Sequence, residues 1–233
     1  MGWHIAVNCE APDSIHAPDK PAVGIDRGVT VPLMLSDGTT FALPPTLDSL
    51  ERRHRAAQRA ISRRRRGSNR WRKAIHRAAT LKAKQTRTRR HWQHEVTTTI
   101  ARRHGTVVVE ELRTRNLTRS ARGTIETPGR GVGRKRGLNR AILHVGWHAI
   151  EAMLAYKTER LVRVPAAYSS QTCASCGTVD GRSRKSQASF VCAKCGHRDH
   201  ADRNAATVIL LRGSAPVVEG HVDAPSKREL EAA

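Results

Sequence analysis

The sequence predicts an α/β fold built on a mixed sheet, with an arginine-rich helical hairpin and an inserted metal ribbon. Three observations carry that expectation. Short β-prone runs cluster within residues 21–43 and recur at 106–112 and 160–166. A long basic segment of helical periodicity lies between the first and second of these, and two Cys-x2-Cys pairs stand near the end. At 233 residues the chain can bury one good core and still carry a small appended module.

The elements follow in chain order. "PAVGIDRGVTVPLMLSDGTTFAL", residues 21–43, holds three short runs separated by Gly, Pro and an S-D-G turn, which predicts a strand meander. Residues 46–104 are helical and very basic, with a break at "RRRRGSNRW", so a helical hairpin is expected. Trp71, Ile75 and Ala78, then Trp92, Val96 and Ile100, recur at helical spacing, so core packing is the better use of both tryptophans than base stacking. "TVVVEEL" at 106–112 has the pattern of a buried strand delivering a carboxylate at its tip. Residues 113–137 are basic, Gly-rich and aperiodic, and read as a mobile loop; their "GRGVGRKRG" lacks the ending of a P-loop. Leu143, Trp147, Ile150 and Leu154 mark one amphipathic helix, and "RLVRVPA" a further strand.

Charge bounds the partners. Lys and Arg number 42 against 20 Asp and Glu, a net charge of +22, so a polyanion is the expected partner. The apolar stretches are short and interrupted by Arg, and the N-terminus lacks a signal-peptide layout, so no membrane role and a cytoplasmic location are expected. Eight Arg fall within residues 51–66. Arg63, Arg64, Arg65 and Arg66, with Arg72, are the candidate nucleic-acid contacts, of the sequence-independent, salt-sensitive kind.

Cys173-x2-Cys176 and Cys192-x2-Cys195, with fifteen residues between the pairs, supply four thiolates on two knuckles, the set that structural Zn²⁺ takes. Four sulfurs leave no open coordination position, so the zinc is expected to be structural. Gly177 and Gly196 suit the tight knuckle turns, and His197 and His200 read as solvated or phosphate-facing rather than as ligands. Cys9 is left over as a plain thiol.

Three acids stand out in a chain this positive. Asp26 ends a predicted strand, Glu110 ends "TVVVE", and Asp202 opens the predicted helix "DRNAATVILL". Together they could hold one or two Mg²⁺ ions, hard cations that favour oxygen ligands and serve phosphodiester hydrolysis. Each also has a bland reading, as turn cap, surface acid or helix N-cap.

"VGIDRGV…LSDG", "VVVEEL", "SSQTCASCG" and "FVCAKCGHRDHADRNAA" occur in the order and context of the TnpB (OrfB) proteins of insertion sequences, relatives of the type V CRISPR effector nucleases, and the chain resembles them over roughly residues 22–212. The resemblance implies an RNase H-like (RuvC-like) nuclease domain with an inserted zinc ribbon. It implies catalytic Mg²⁺ on Asp26, Glu110 and Asp202, with Glu111 and Asp199 as lesser neighbours, and structural Zn²⁺ on the four cysteines. It implies DNA as substrate and a guide RNA as partner. The corresponding domains are a remnant of a preceding region at 1–20, the nuclease domain at 21–168 with its hairpin at 46–104, the ribbon at 169–198, a last nuclease helix at 199–212 and a flexible tail at 213–233. Two rivals are a truncated, catalytically inactive nucleic-acid-binding remnant and a zinc-ribbon protein of the ribosome or transcription machinery; the second leaves the placed acids unexplained.

Overall fold

The computed structural model describes residues 20–214, so Cys9, the segment expected as an N-terminal remnant, and all but two residues of the expected tail lie outside the described residues. Five strands form one mixed sheet: β1 (Val23–Asp26), β2 (Leu33–Leu35), β3 (Thr40–Phe41), β4 (Thr106–Glu111) and β5 (Arg160–Pro165), in the order β3-β2-β1-β4-β5. The first three are an antiparallel meander, whereas β4 and β5 run parallel to β1. Parallel neighbours need long crossovers. The crossover from the meander to β4 is the hairpin of α1 (Pro45–Ser62) and α2 (Asn69–Arg103).

The break in that hairpin falls where the sequence places it. Ser68 accepts the Trp71 amide at 3.2 Å as the N-cap of α2, and Arg63–Arg66 lie exposed in the connecting turn. With 35 residues α2 is roughly 50 Å long and does two jobs. Its first half packs Ala78 and Leu81 against Leu50 and Ala57 of α1. Its second half packs Trp92, Val96 and Ile100 against the sheet. Ile75, expected on the packed face, is exposed, and Ala74 takes the inward position.

Strand alternation then sorts the sheet's two faces. Val23, Ile25, Val107 and Val109 point into the main core with α2 and with Ile150 and Leu154 of α5 (Trp147–Lys157). Val108 and Val164 point the other way, against Ile209 and Leu210 of α6 (Ala201–Ser214). At Gly24 the α6 backbone comes so close that a Cβ would stand 2.1 Å from the Ala206 carbonyl oxygen, so only glycine lets this helix seat on β1. Gly213 meets Val108 in the same way, so the expected tail begins as helix.

Two expectations are corrected. The aperiodic stretch 113–137 contains a helical turn, α3 (Thr114–Leu117), and the start of α4 (Val132–Val145). Lys135 and Asn139 of α4 donate to the Leu117 and Thr118 carbonyls at 2.6 and 2.7 Å, tertiary bonds that periodicity does not register. The single amphipathic helix is two helices. Gly146 breaks it with a left-handed φ of +74°, and Gln93 Nε2 reaches from α2 to the Val145 carbonyl at 2.8 Å. Leu143 is consequently exposed rather than in the core. Among the described residues no helix is long and apolar enough to cross a membrane.

Candidate active site and metal centre

The four cysteines come together as their spacing requires. Their Sγ atoms all lie within 4.8 Å of one another, with Cys173–Cys195 at 3.7 Å and Cys176–Cys192 at 3.6 Å. A tetrahedron of Zn–S bonds has an S···S edge of about 3.8 Å, so the cluster fits this ion with little adjustment. The two knuckles repeat one hydrogen-bond pattern. Cys173 N donates to Thr178 O at 2.9 Å and Gly177 N to Cys173 O at 2.9 Å; Cys192 N donates to His197 O at 2.9 Å and Gly196 N to Cys192 O at 3.1 Å. Gly177 and Gly196 both take a left-handed φ, +71° and +74°. The strands that flank the second knuckle, β6 (Phe190–Val191) and β7 (Arg198–Asp199), are two residues each. So little sheet cannot hold itself, and a metal staple is what such a module needs.

Neither histidine joins the cluster. Instead of facing solvent, His200 Nδ1 accepts the Asp202 amide at 3.3 Å at the start of α6, and His197 is half-buried.

The acids are assembled by the sheet. Asp26 and Glu110 each stand one step beyond the paired Ile25 and Val109, at the C-terminal ends of adjacent parallel strands. By alternation both share a face with Gly24 and Val108, the face that α6 covers. Asp202, in the first turn of α6, arrives there because Gly24 admits the helix. The electrostatics register this meeting. Burial, then the charges of Glu110 and Asp202, push the Asp26 carboxyl up to about 7, against the opposing effects of Arg184 and the Arg27 amide. Burial also raises Glu110, although a hydrogen bond from Ser169 and the charges of Arg27 and Arg212 act against it.

Four residues that the sequence reading passed over complete this surrounding. Ser169, buried, donates to Glu110 Oε1. Arg184, from the ribbon, donates to Asp202 Oδ1 at 2.8 Å. Arg27, also buried, donates to the Glu110 carbonyl and at 2.8 Å to Glu151 of α5. Asn204 Nδ2 donates to Thr172 O at 2.7 Å and its Oδ1 accepts Ala174 N at 2.9 Å, tying α6 to the first knuckle. Arg27, Ser169 and Asn204 lie inside the motifs quoted above without a role being readable for them, and nothing in the sequence marks Arg184.

Asp199 and Glu111 take other places. Asp199 is paired with Arg203 on its own helix side, and Glu111 is exposed. Among the described residues only the cysteines bring three or more ligand atoms within 4.8 Å, so the three carboxylates stand wider apart than the sulfurs. The donor set nonetheless suits a hard divalent cation. Its groups are all oxygen, and Asp26 carries a buried charge that its two carboxylate neighbours oppose.

A family model described as "Probable transposase" (OrfB_IS605) matches residues 4–121, and one described as "Cas12f1-like, TNB domain" matches 147–209. The Escherichia coli (strain K12) protein named "Putative RNA-guided DNA endonuclease InsQ" is 37% identical over 226 residues, which is 94% of this chain and 56% of that protein. A Streptomyces pristinaespiralis protein named "Putative RNA-guided DNA endonuclease" is 33% identical over 222 residues, 91% of this chain and 50% of that one. The chain thus spans about half the length of these curated relatives. In fold it is similar to the protein of a Cas12f1–sgRNA–target DNA complex, with a TM-score of 0.50 and 22% identity over 87% of this chain and 51% of that one. With a family model covering residues 4–121 and curated relatives aligned along nearly its whole length, the chain belongs to the OrfB (TnpB) family of insertion-sequence transposase-associated proteins.

Proposed function

We propose that this chain is the catalytic part of a Mg²⁺-dependent DNA endonuclease of RNase H-like (RuvC-like) architecture. In this reading residues 21–168 and the helix after the ribbon form one nuclease domain, 169–198 are a structural zinc ribbon, and a guide RNA directs the enzyme in the cytoplasm. The observation that carries it is the meeting of Asp26, Glu110 and Asp202 on one sheet face, expressed as mutual charge at Asp26. The strand order, an antiparallel meander followed by two parallel strands, supports the fold assignment.

The three carboxylates would hold the cations, which supply polarisation of the scissile phosphate and activation of the attacking water. The chain's own residues prepare that step. Arg27 neutralises part of the buried negative charge and fixes the Glu110 backbone. Ser169 orients the Glu110 carboxylate. Arg184 balances Asp202, and its guanidinium is a cation that a substrate phosphate could meet at this site. Attack of water on phosphorus breaks one P–O ester bond, and the departing oxygen takes a proton from solvent.

The test is cleavage of labelled single- and double-stranded DNA by the zinc-loaded chain with and without added Mg²⁺, and with and without co-purifying RNA, beside Asp26→Ala. Cutting that requires both Mg²⁺ and Asp26 is expected. Binding without cutting under every condition would leave the chain a nucleic-acid-binding remnant.

A further inference from the structure

A cleft of about 500 Å³ opens between α1, α2 and α4, and none of the acid-site residues lines it. Arg55 from α1, Lys82 and Arg89 from α2, and Arg140 and His144 from α4 line it together with one carboxylate, Glu51. Arg55 Nε donates to Glu51 Oε1 at 3.0 Å, Arg140 Nε stands 3.9 Å from that oxygen, and His144 Nε2 stands 3.9 Å from the other. The imidazole nitrogen is buried without a hydrogen-bond partner. Burial works to raise the Glu51 carboxyl, yet Arg55, His144 and Arg140 together hold it below its ordinary value.

One carboxylate cannot balance this many cations, so the cleft has capacity for further anion. No Phe, Tyr or Trp lines it, and its side chains are mostly cationic or polar, which favours the sugar–phosphate backbone over base stacking. Its volume lies in the range of sites that take a nucleotide-sized group. Its cations come from three helices, whereas the exposed Arg63–Arg66 all sit in one turn. We propose that this cleft seats a backbone phosphodiester of a bound nucleic-acid strand, with Glu51 filling the anion position until the strand arrives. The seat requires no cleavage, so it stands or falls separately from the catalytic reading.

Binding is measured without added Mg²⁺ by fluorescence anisotropy over a salt series, with the full zinc-loaded chain and short labelled deoxythymidine and uridine homopolymers. Arg89→Ala and Arg140→Ala should each weaken binding several-fold and flatten the log K against log [salt] slope by about 0.7. Glu51→Gln should strengthen binding several-fold. Glu95→Gln, the same charge change at an exposed α2 position outside the cleft, should leave it within about twofold. Effects confined to one homopolymer assign the seat to DNA or to RNA. Unchanged affinity in both arginine variants, or an equal gain in Glu95→Gln, overturns the proposal. Should Glu51→Gln fail to fold, the arginine variants decide.

Discussion

The chain contains two candidate metal centres that solve opposite problems. The cysteine site is closed before any ion is considered: its sulfurs stand at tetrahedral spacing, and two matching knuckles hold them there. The acid site is wider and electrostatically opposed to itself, with Asp26 pushed up to about 7 by burial and by its two neighbours. Protein cations and a hydroxyl, Arg184, Arg27 and Ser169, hold the acids in place. A structural centre gains from being made to fit, whereas a catalytic one must keep charge that only a cation and an anionic substrate together can balance. The two centres are joined by Asn204, which sits two residues after Asp202 and binds the backbone on both sides of Cys173.

The largest expected effect tests the closed site. Removing zinc with a chelator should unfold the ribbon, release Asn204's partners and lower the melting temperature by many degrees, because the binding free energy of such a site is largely folding free energy. Metal analysis should give one zinc per chain. A chain that melts identically after verified zinc loss would show that the β6–β7 module holds itself.

Asn204→Ala should cost about 2–4 kcal/mol, since it leaves the buried Thr172 carbonyl and the Ala174 amide without partners. Zinc stoichiometry should survive, while Mg²⁺-dependent cleavage falls. If cleavage is untouched once the loss of stability is allowed for, the ribbon does not position α6.

This coupling also explains what sequence could and could not disclose. Both cysteine pairs lie within single turns, so their spacing alone states the ligand set. The acids come from residues 26, 110 and 202, and only strand order and the close packing at Gly24 bring them together. Their types and positions were legible through resemblance; Arg27 and Ser169 lie within the same motifs but show no role there, and Arg184 stands outside them, since a lone Arg in a basic chain carries no local pattern. The same limit applies to α4: its start is tied down by Lys135 and Asn139 bonding to distant carbonyls, which no periodicity predicts.

Asp26→Asn should move stability the other way. A carboxyl whose folded pKa is raised from 3.8 to about 7 destabilises the fold once pH passes the unfolded value, and the full cost is present above the folded one. Without Mg²⁺ at alkaline pH the zinc-loaded variant should therefore be more stable, by on the order of 2 kcal/mol after allowance for relaxation, while cutting nothing. Saturating Mg²⁺ should stabilise the parent and leave the variant nearly unmoved, which would narrow or erase the gap. A variant less stable than the parent without Mg²⁺ would mean that Asp26 is a structural hydrogen-bonding group and that the contrast between the two centres is false.

The smallest effect on stability, and the sharpest on geometry, is expected at Ser169. Its hydroxyl donates to the buried Glu110 carboxylate, and the preceding Tyr168 takes a left-handed φ of +59° to place it there. The strained turn is held by its own carbonyl, which accepts from the Gln171 and Thr172 amides at 3.0 Å each and from Thr172 Oγ1 at 2.7 Å. Ser169→Ala removes the donor and leaves the backbone as it is, so the stability should fall by only about 1 kcal/mol. Glu110 would then be free to turn, and the Mg²⁺ concentration needed for half-maximal cleavage should rise several-fold, with Ser169→Thr restoring it. The same rise should appear in Mn²⁺ binding followed by electron paramagnetic resonance, a readout that does not depend on turnover. Equal metal dependence in the alanine variant and the parent would mean that Glu110 is held by the sheet and Arg27 alone.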